Sequence, residues 1–230
     1  MKAYIIVPYR DREQHKNMFV PYLEHYLQRN LTNKFEIVLV EQDAGKPFNR
    51  AKLLNVGVDI ARSDETINNA EKYYVFHDID MLPAEDGDAY DQPGSQIVHI
   101  ATEVEQFGYN LPYNQYIGGV TLLRDLEFEL INGYCNDYWG WGAEDDDLYI
   151  RMISKNLSLM RRKQNFKSLA HAQNGDTNGG APSAETINNR KILASKTVEN
   201  VCTTGFDTLE YTKLNEEQIS NFTKIYKVII

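Results

Sequence analysis

Three continuous apolar, β-rich runs constrain the fold more than any other feature of this chain: Ala3–Val7, Phe35–Val40 and Lys72–Phe76. A run without polar alternation suits a strand buried on both faces, and sheets covered on both faces are mostly parallel. Helical patterns separate the runs. One helix is expected from about Glu13 to Arg29, with Met18, Tyr22 and Tyr26 on one face and a bend or break near Pro21. A second opens at Phe48-Asn49-Arg50, with Asn49 suited to the N-cap and Ala51, Leu54, Val58 and Ala61 as its buried stripe. Short strands at Gln96–Ile100 and Val120–Leu123 follow, and Thr208–Leu214 with Asn221–Ile229 reads as a closing pair. The alternation specifies an α/β fold on a mostly parallel central sheet. At 230 residues and 42% hydrophobic content, a single domain over 1–230 is expected, with halves at 1–100 and 101–230.

Such folds bind ligands at the carboxyl ends of their strands. The first run is ended by Pro8 and leads into Tyr9-Arg10-Asp11-Arg12, where two arginines in a tight turn could grip a phosphate, although paired surface arginines look the same. Arg50 lies in the first turn of its helix, where the macrodipole disfavours a cation, so an anionic neighbour or ligand is expected. The third run delivers Asp78-Ile79-Asp80. On an extended segment these two carboxylates point into one space, and hard oxygen ligands suit Mg²⁺ or Mn²⁺, although a lone Asp-x-Asp is commonly just a loop.

The most informative stretch is Trp139-Gly-Trp141-Gly-Ala143-Glu144-Asp145-Asp146-Asp147. The apolar spacing after it places the four carboxylates on the first turn of a helix, where free N–H groups and the dipole stabilise negative charge. A bare acidic run is equally what a solvated helix start carries. The glycine-spaced tryptophans favour a site, because Gly permits close approach to the backbone and Trp stacks on a sugar face. Upstream, Tyr109 to Gly119 is tyrosine-rich and ends in a glycine pair, which suits close backbone approach. His171 stands alone, and Asn174–Glu185, rich in Gly, Asn and Ser, reads as a mobile loop.

The formal net charge of −9, with no long basic run, argues against nucleic acid or an anionic membrane as main partner. No stretch approaches a membrane span, and the first strand begins too close to Met1 to leave room for a signal peptide. With only Cys135 and Cys202, a disulfide framework is not expected and a reducing, cytoplasmic setting is.

Five segments in order, Pro8-Tyr-Arg-Asp-Arg12, Phe48-Asn-Arg-Ala-Lys-Leu-Leu-Asn-Val-Gly57, Asp78-Ile-Asp80, Tyr116-Ile-Gly-Gly-Val120 and Trp139–Asp147, resemble the animal β-1,4-galactosyltransferase family. The family's pattern runs PFRxR, FNRAKLLNVG, DVD, QYFGGV and WGWGGEDDD, and the match extends from Ile5 to about Met152. The resemblance implies a GT-A fold with a nucleotide-sugar-binding first half and an acceptor and catalytic second half. It implies inverting transfer of galactose from UDP-galactose to a terminal sugar or glycolipid, with Mn²⁺ or Mg²⁺. UDP-N-acetylgalactosamine as donor and a non-catalytic carbohydrate-binding protein are the alternatives.

Carried over by position, Pro8, Tyr9, Arg10, Arg12, Phe48 and Arg50 would hold uridine and diphosphate, with Asp78, Ile79 and Gly119 on the donor side. Tyr116 matches the tyrosine that goes with UDP-galactose. Trp141 and Glu144 would line the sugar and acceptor, Asp145 would be the base, and Asp146 and Tyr113 would fix the acceptor. Asp80 would ligate the metal, with His171 as second ligand. Tyr9 stands for the family's phenylalanine, Ala143 for a glycine, and Ser168 for the methionine that precedes the metal histidine by three residues. Asp147 has no role carried over and reads as a helix-start carboxylate. The absent anchor and stem suggest a microbial enzyme building a surface polysaccharide.

Overall fold

The computed structural model describes residues 1–170 and 181–230. Its elements run β1 (Lys2–Tyr9), α1 (Glu13–Asn30), β2 (Lys34–Gln42), α2 (Arg50–Arg62), β3 (Lys72–His77), β4 (Met81–Pro83), β5 (Ile97–His99), β6 (Glu103–Val104), β7 (Val120–Arg124) and α3 (Asp125–Leu130). They continue α4 (Glu144–Ser154), β8 (Leu159–Arg161), β9 (Asn165–Ser168), α5 (Ala184–Ala194), β10 (Thr212–Gln218) and β11 (Thr223–Ile229). The main sheet has the order β10-β11-β2-β1-β3-β7-β5-β8, and β4-β9-β6 form a small second sheet. Strands β11, β2, β1 and β3 make a parallel block, flanked by antiparallel β10 and β7.

The sheet separates two cores, as strand periodicity requires. Ala3, Ile5 and Val7 face the α1 side with Phe19, Leu23 and Leu27. Tyr4 and Ile6 face the other, with Leu54 and Val58 of α2, Phe128 of α3 and Leu148 and Met152 of α4. Gly57 permits the close approach of α2 to β1: a Cβ there would lie 2.2 Å from Cγ2 of Ile6.

The structure corrects several expectations. Helix α1 runs unbroken through Pro21 and buries Phe19, Val20, Leu23, Tyr26 and Leu27, while Met18 and Tyr22 are exposed. The Phe19-Leu23-Leu27 stripe has the larger apolar face and sets the helix rotation. Strand β1 continues through Pro8, paired with Val40, to Tyr9. Cys135 and Cys202 form a disulfide, Cα atoms 6.0 Å apart, so the cysteine argument for a reducing compartment lapses. The closing pair exists, but its first strand starts at Thr212, because Phe206–Thr208 forms a 3₁₀ turn. Within Asn174–Glu185, the described residues include Ser183 and the start of α5, where a loop was expected. No helix among the described residues is long and apolar enough to cross a membrane.

Candidate active site

Strand β3 ends at His77 and the chain then turns, Met81 N–H donating to the Asp78 carbonyl at 3.3 Å. Asp78 and Asp80 therefore lie in a tight turn, and strand alternation does not govern their directions. The expected anionic neighbours of Arg50 belong to the chain itself. Its Nε donates to Asp78 Oδ1 at 2.6 Å and its Nη1 to Asp145 Oδ1 at 2.9 Å, with Glu144 Oε1 3.6 Å away. These side chains are only 12–28% exposed. Burial pushes the Glu144 and Asp145 carboxyls up, and Arg50 opposes the push without cancelling it. The three carboxylates in turn hold the Arg50 guanidinium well above its usual range against burial.

Helix α4 begins at Glu144 with Ala143 left-handed at φ 78°, so the acidic run occupies its first turn as the sequence implies. Its members have different fates. Asp145 reaches inward to Arg50, and Asp146 accepts the Tyr113 hydroxyl at 2.7 Å. Asp147 stands in the first turn, as its reading as a helix-start carboxylate implies, but it is wholly buried, accepting from Arg151 Nε at 2.8 Å and from the Tyr138 hydroxyl at 3.2 Å. Arg151 also donates to the carbonyls of Ile131, Asn132, Gly133, Cys202 and Thr204, so this ion pair anchors the chain on both sides of the site. The i, i+4 spacing was the available signal for it.

The Tyr116–Gly119 turn closes one wall. A Cβ on Gly118 would meet Asp145 Oδ2 at 2.6 Å and the Tyr116 ring at 2.8 Å, which brings Asp145 and Tyr116 together over a bare backbone. Gly119, at φ 81°, leaves no room for a side chain beside Met81, and its carbonyl accepts from Asp78 N–H at 3.0 Å. Tyr113 lies edge-on to Tyr116 with centroids 5.6 Å apart. Two buried histidines, missed as site residues, fix these peptides. His77 Nδ1 lies 2.8 Å from the Asp78 carbonyl and His99 Nε2 2.8 Å from that of Gly118, so each of these nitrogens carries the proton. The opposite nitrogens accept from the Tyr90 hydroxyl and from Arg161, and burial lowers both histidines to about 4.

On the arginine side, Arg10 donates to the Lys46 carbonyl at 2.7 Å and lies over the Phe48 ring at 5.7 Å. Pro8 and Tyr9 are buried; the Tyr9 hydroxyl points to Glu41 at 3.3 Å. Ile79 packs into the α1-side core, so its side chain does not face the site. Arg12 sits at the N-cap of α1, and its guanidinium has no ion-pair partner among the described residues. Trp141 is 50% exposed. Its loop is held by Gly140 N–H donating to the Phe48 carbonyl at 2.7 Å and by α5, another element the sequence reading missed. Asn189 Nδ2 donates there to the carbonyls of Trp139, Trp141 and Gly142 at 2.9, 3.3 and 3.0 Å. Asn49, the N-cap of α2, and Asn55 within it grip the approach to the loop, at the Asn136 and Tyr134 carbonyls, both at 2.8 Å.

Asp80 is partly exposed and its carbonyl accepts from Leu169 N–H at 2.7 Å, while His171 lies outside the described residues. A hard carboxylate on a turn beside Asp78 fits Mn²⁺ or Mg²⁺. The trio Cys135, Asp137 and Cys202 offers ligand atoms within 4.8 Å of one another, but the disulfide removes both thiolates.

This architecture, with carboxylates and arginines gathered at the carboxyl ends of a mostly parallel sheet, is that of the GT-A glycosyltransferases. The solved catalytic domain of Drosophila β-1,4-galactosyltransferase 7 with xylobiose aligns with a TM-score of 0.79 and 27% identity, covering all of this chain and 94% of that one; a point mutant of the same enzyme, solved with manganese, UDP-galactose and xylobiose, aligns equally well at 28% identity. Family models described as the N-terminal region of glycosyl transferase group 7 and the N-terminal domain of galactosyltransferase match residues 1–93 and 98–174. β-1,4-Galactosyltransferase 1 of Bos taurus is 35% identical over 97% of this chain, and the human protein of that name 34% identical over 97%. The chain belongs to the β-1,4-galactosyltransferase family. It spans about half the length of these curated relatives, 53% and 54%.

Proposed function

We propose that the chain transfers galactose, with inversion, from UDP-galactose to a hydroxyl of a terminal sugar. The observation that carries this reading is the Arg50–Asp78–Glu144–Asp145 cluster, with half-exposed Trp141 three residues before Glu144 and the Tyr113–Asp146 pair formed at the same helix turn. Stacking on Trp141 and hydrogen bonds to Glu144 and Asp146 would orient the sugars. Asp145 would take the proton of the acceptor hydroxyl as its oxygen bonds to the anomeric carbon, while the bond to the diphosphate oxygen breaks and UDP leaves with the electron pair. Raised by burial, the Asp145 carboxyl is a stronger base than an exposed one once ionised. Arg10, Arg12 and Arg50 would face the charge growing on the diphosphate.

Asp80 and His171 would hold Mn²⁺, which supplies Lewis-acid stabilisation of the leaving diphosphate when bound. Xylose, glucose and N-acetylglucosamine are the candidate acceptor termini, and the xylobiose of the Drosophila complex makes xylosides the first acceptors to try. The test is UDP release by purified protein from UDP-galactose, with a panel of monosaccharide acceptors, in Mn²⁺ and then in EDTA. Acceptor-dependent release that EDTA suppresses and Mn²⁺ restores is expected. Release only from UDP-N-acetylgalactosamine would shift the donor assignment, and full activity in EDTA would remove the metal.

A further inference from the structure

The turn from Tyr113 to Gly119 is held from the sheet side by two side chains. Carbonyls in a segment that no strand pairs with need donors from elsewhere. Arg161 of β8 supplies two of them: its Nη1 donates to the Tyr116 carbonyl at 2.9 Å and its Nη2 to the Asn114 carbonyl at 2.6 Å. His99 of β5 supplies a third, from Nε2 to the Gly118 carbonyl at 2.8 Å. The two strands pair in parallel with His99 opposite Arg161, and Arg161 Nη1 lies 2.5 Å from His99 Nδ1. A guanidinium only donates, so Nδ1 accepts and the ring proton stays on Nε2, aimed at Gly118. Arg161 thus acts on the turn twice, directly and by fixing the tautomer of His99. The Tyr116 ring packs edge-on to His99, with centroids 5.6 Å apart.

What the turn covers is Asp145. A Cβ on Gly118 would lie 2.6 Å from Asp145 Oδ2, so the bare peptide rests directly against that carboxylate, whose side chain is only 19% exposed. A carboxylate covered in this way is open to a nucleophile on fewer sides. An outward shift of the turn by about 1 Å is enough to disturb such an arrangement and to admit water to the same oxygen. Water would then give its proton to Asp145 as its oxygen bonds to the anomeric carbon, while the bond to the diphosphate oxygen breaks and UDP leaves with the electron pair. The products are free galactose and UDP. Excluding water from a transferase site prevents this side reaction.

We propose that Arg161, through the Tyr116 carbonyl and through His99, is a positioning residue that holds the Gly118 peptide against Asp145 and so favours a sugar hydroxyl over water as the nucleophile. The proposal rests on the assignment of Asp145 as the base. Arg161 and His99 act only through the turn they hold.

The test measures UDP release from UDP-galactose in Mn²⁺, with and without a responsive acceptor, in wild type, Arg161→Met, His99→Asn and His99→Gln. In Arg161→Met, acceptor-dependent release should fall roughly tenfold to a hundredfold. Acceptor-independent release should hold or rise, so the ratio of hydrolysis to transfer rises at least about tenfold. Asparagine at position 99 is too short to reach the Gly118 carbonyl and should move the ratio the same way. Glutamine places an amide N–H where Nε2 stands and should keep the ratio near wild type; a shift as large as that of His99→Asn would overturn the Gly118 contact as the cause. A smaller folded fraction lowers both reactions alike and leaves their ratio alone. An unchanged ratio in Arg161→Met therefore overturns the proposal, and if that variant does not fold, an unchanged ratio in His99→Asn does so. Asp145→Asn assayed alongside separates the two claims. Transfer surviving there removes the base assignment and the proposal with it, whereas a dead Asp145→Asn beside a wild-type ratio in Arg161→Met overturns the role of Arg161 alone.

Discussion

Arg50 neutralises a buried cluster that would otherwise repel itself, so it has a structural role before any ligand arrives. Removing one member of such a cluster leaves the others uncompensated. Arg50→Ala should cost about 3 kcal/mol in chemical denaturation; a wild-type midpoint would show the carboxylates to be relieved some other way. The histidines give a pH signature. His77 and His99 fall to about 4 in the folded protein against 6.5 in the unfolded chain. Between those values the unfolded chain binds protons the folded one refuses, so stability is complete above 6.5 and lost as pH falls toward 4. The loss is up to about 3 kcal/mol per histidine. Glu144 and Asp145, raised in the fold, act with the opposite sign. Because the acids oppose the histidines over this range, the clean reading is a difference between proteins: between pH 7 and 5 His99→Asn should lose less stability than wild type, and an identical pH dependence in the two would contradict a neutral His99. At this scale the sequence was partly legible. Arg50 in a helix's first turn advertised an anion, whereas His77 and His99 are lone residues whose partners come from distant segments.

Among the elements, α5 shows where periodicity fails. Its buried residues are Thr186 and Asn189, so no apolar stripe marks it, and only Ser183, which accepts from Thr186 N–H at 3.2 Å, signals its start. Its contribution is polar: Asn189 holds three carbonyls of the tryptophan loop. Asn189→Ala should loosen Trp141 and raise KM for the acceptor about tenfold while sparing UDP affinity without acceptor, as measured by initial rates and calorimetry. Equal losses for donor and acceptor would mean that α5 supports the whole site. The first turn of α4 was readable because four consecutive acids and helical spacing are local signals. Dividing that turn between Arg50, Tyr113 and Arg151 needed tertiary structure. The glycine-spaced tryptophans, which first suggested a sugar surface, are now seen as a loop pinned from Phe48 and from α5.

Across the whole molecule, the disulfide ties the approach to the tryptophan loop to the segment after α5, with 67 positions separating its cysteines. By chain entropy a loop of that size contributes about 4 kcal/mol. Cys135→Ser with Cys202→Ser should lower stability by that order, as should reductant, and equal midpoints in oxidising and reducing buffer would contradict it. Two cysteines alone gave no basis for pairing, since contact across such a span depends on the fold. The parallel sheet was legible because buried strands write continuous apolar runs; the small β4-β9-β6 sheet was not, its strands being two to four residues long.

The central claim is that Asp145 is the base of a sugar transfer at this site, and it rests on one comparison: UDP release from UDP-galactose and a responsive acceptor by wild type and by Asp145→Asn, both with Mn²⁺. The account predicts loss of at least about a thousandfold in kcat with UDP binding retained. An Asp145→Asn protein that transfers within tenfold of wild type would contradict it.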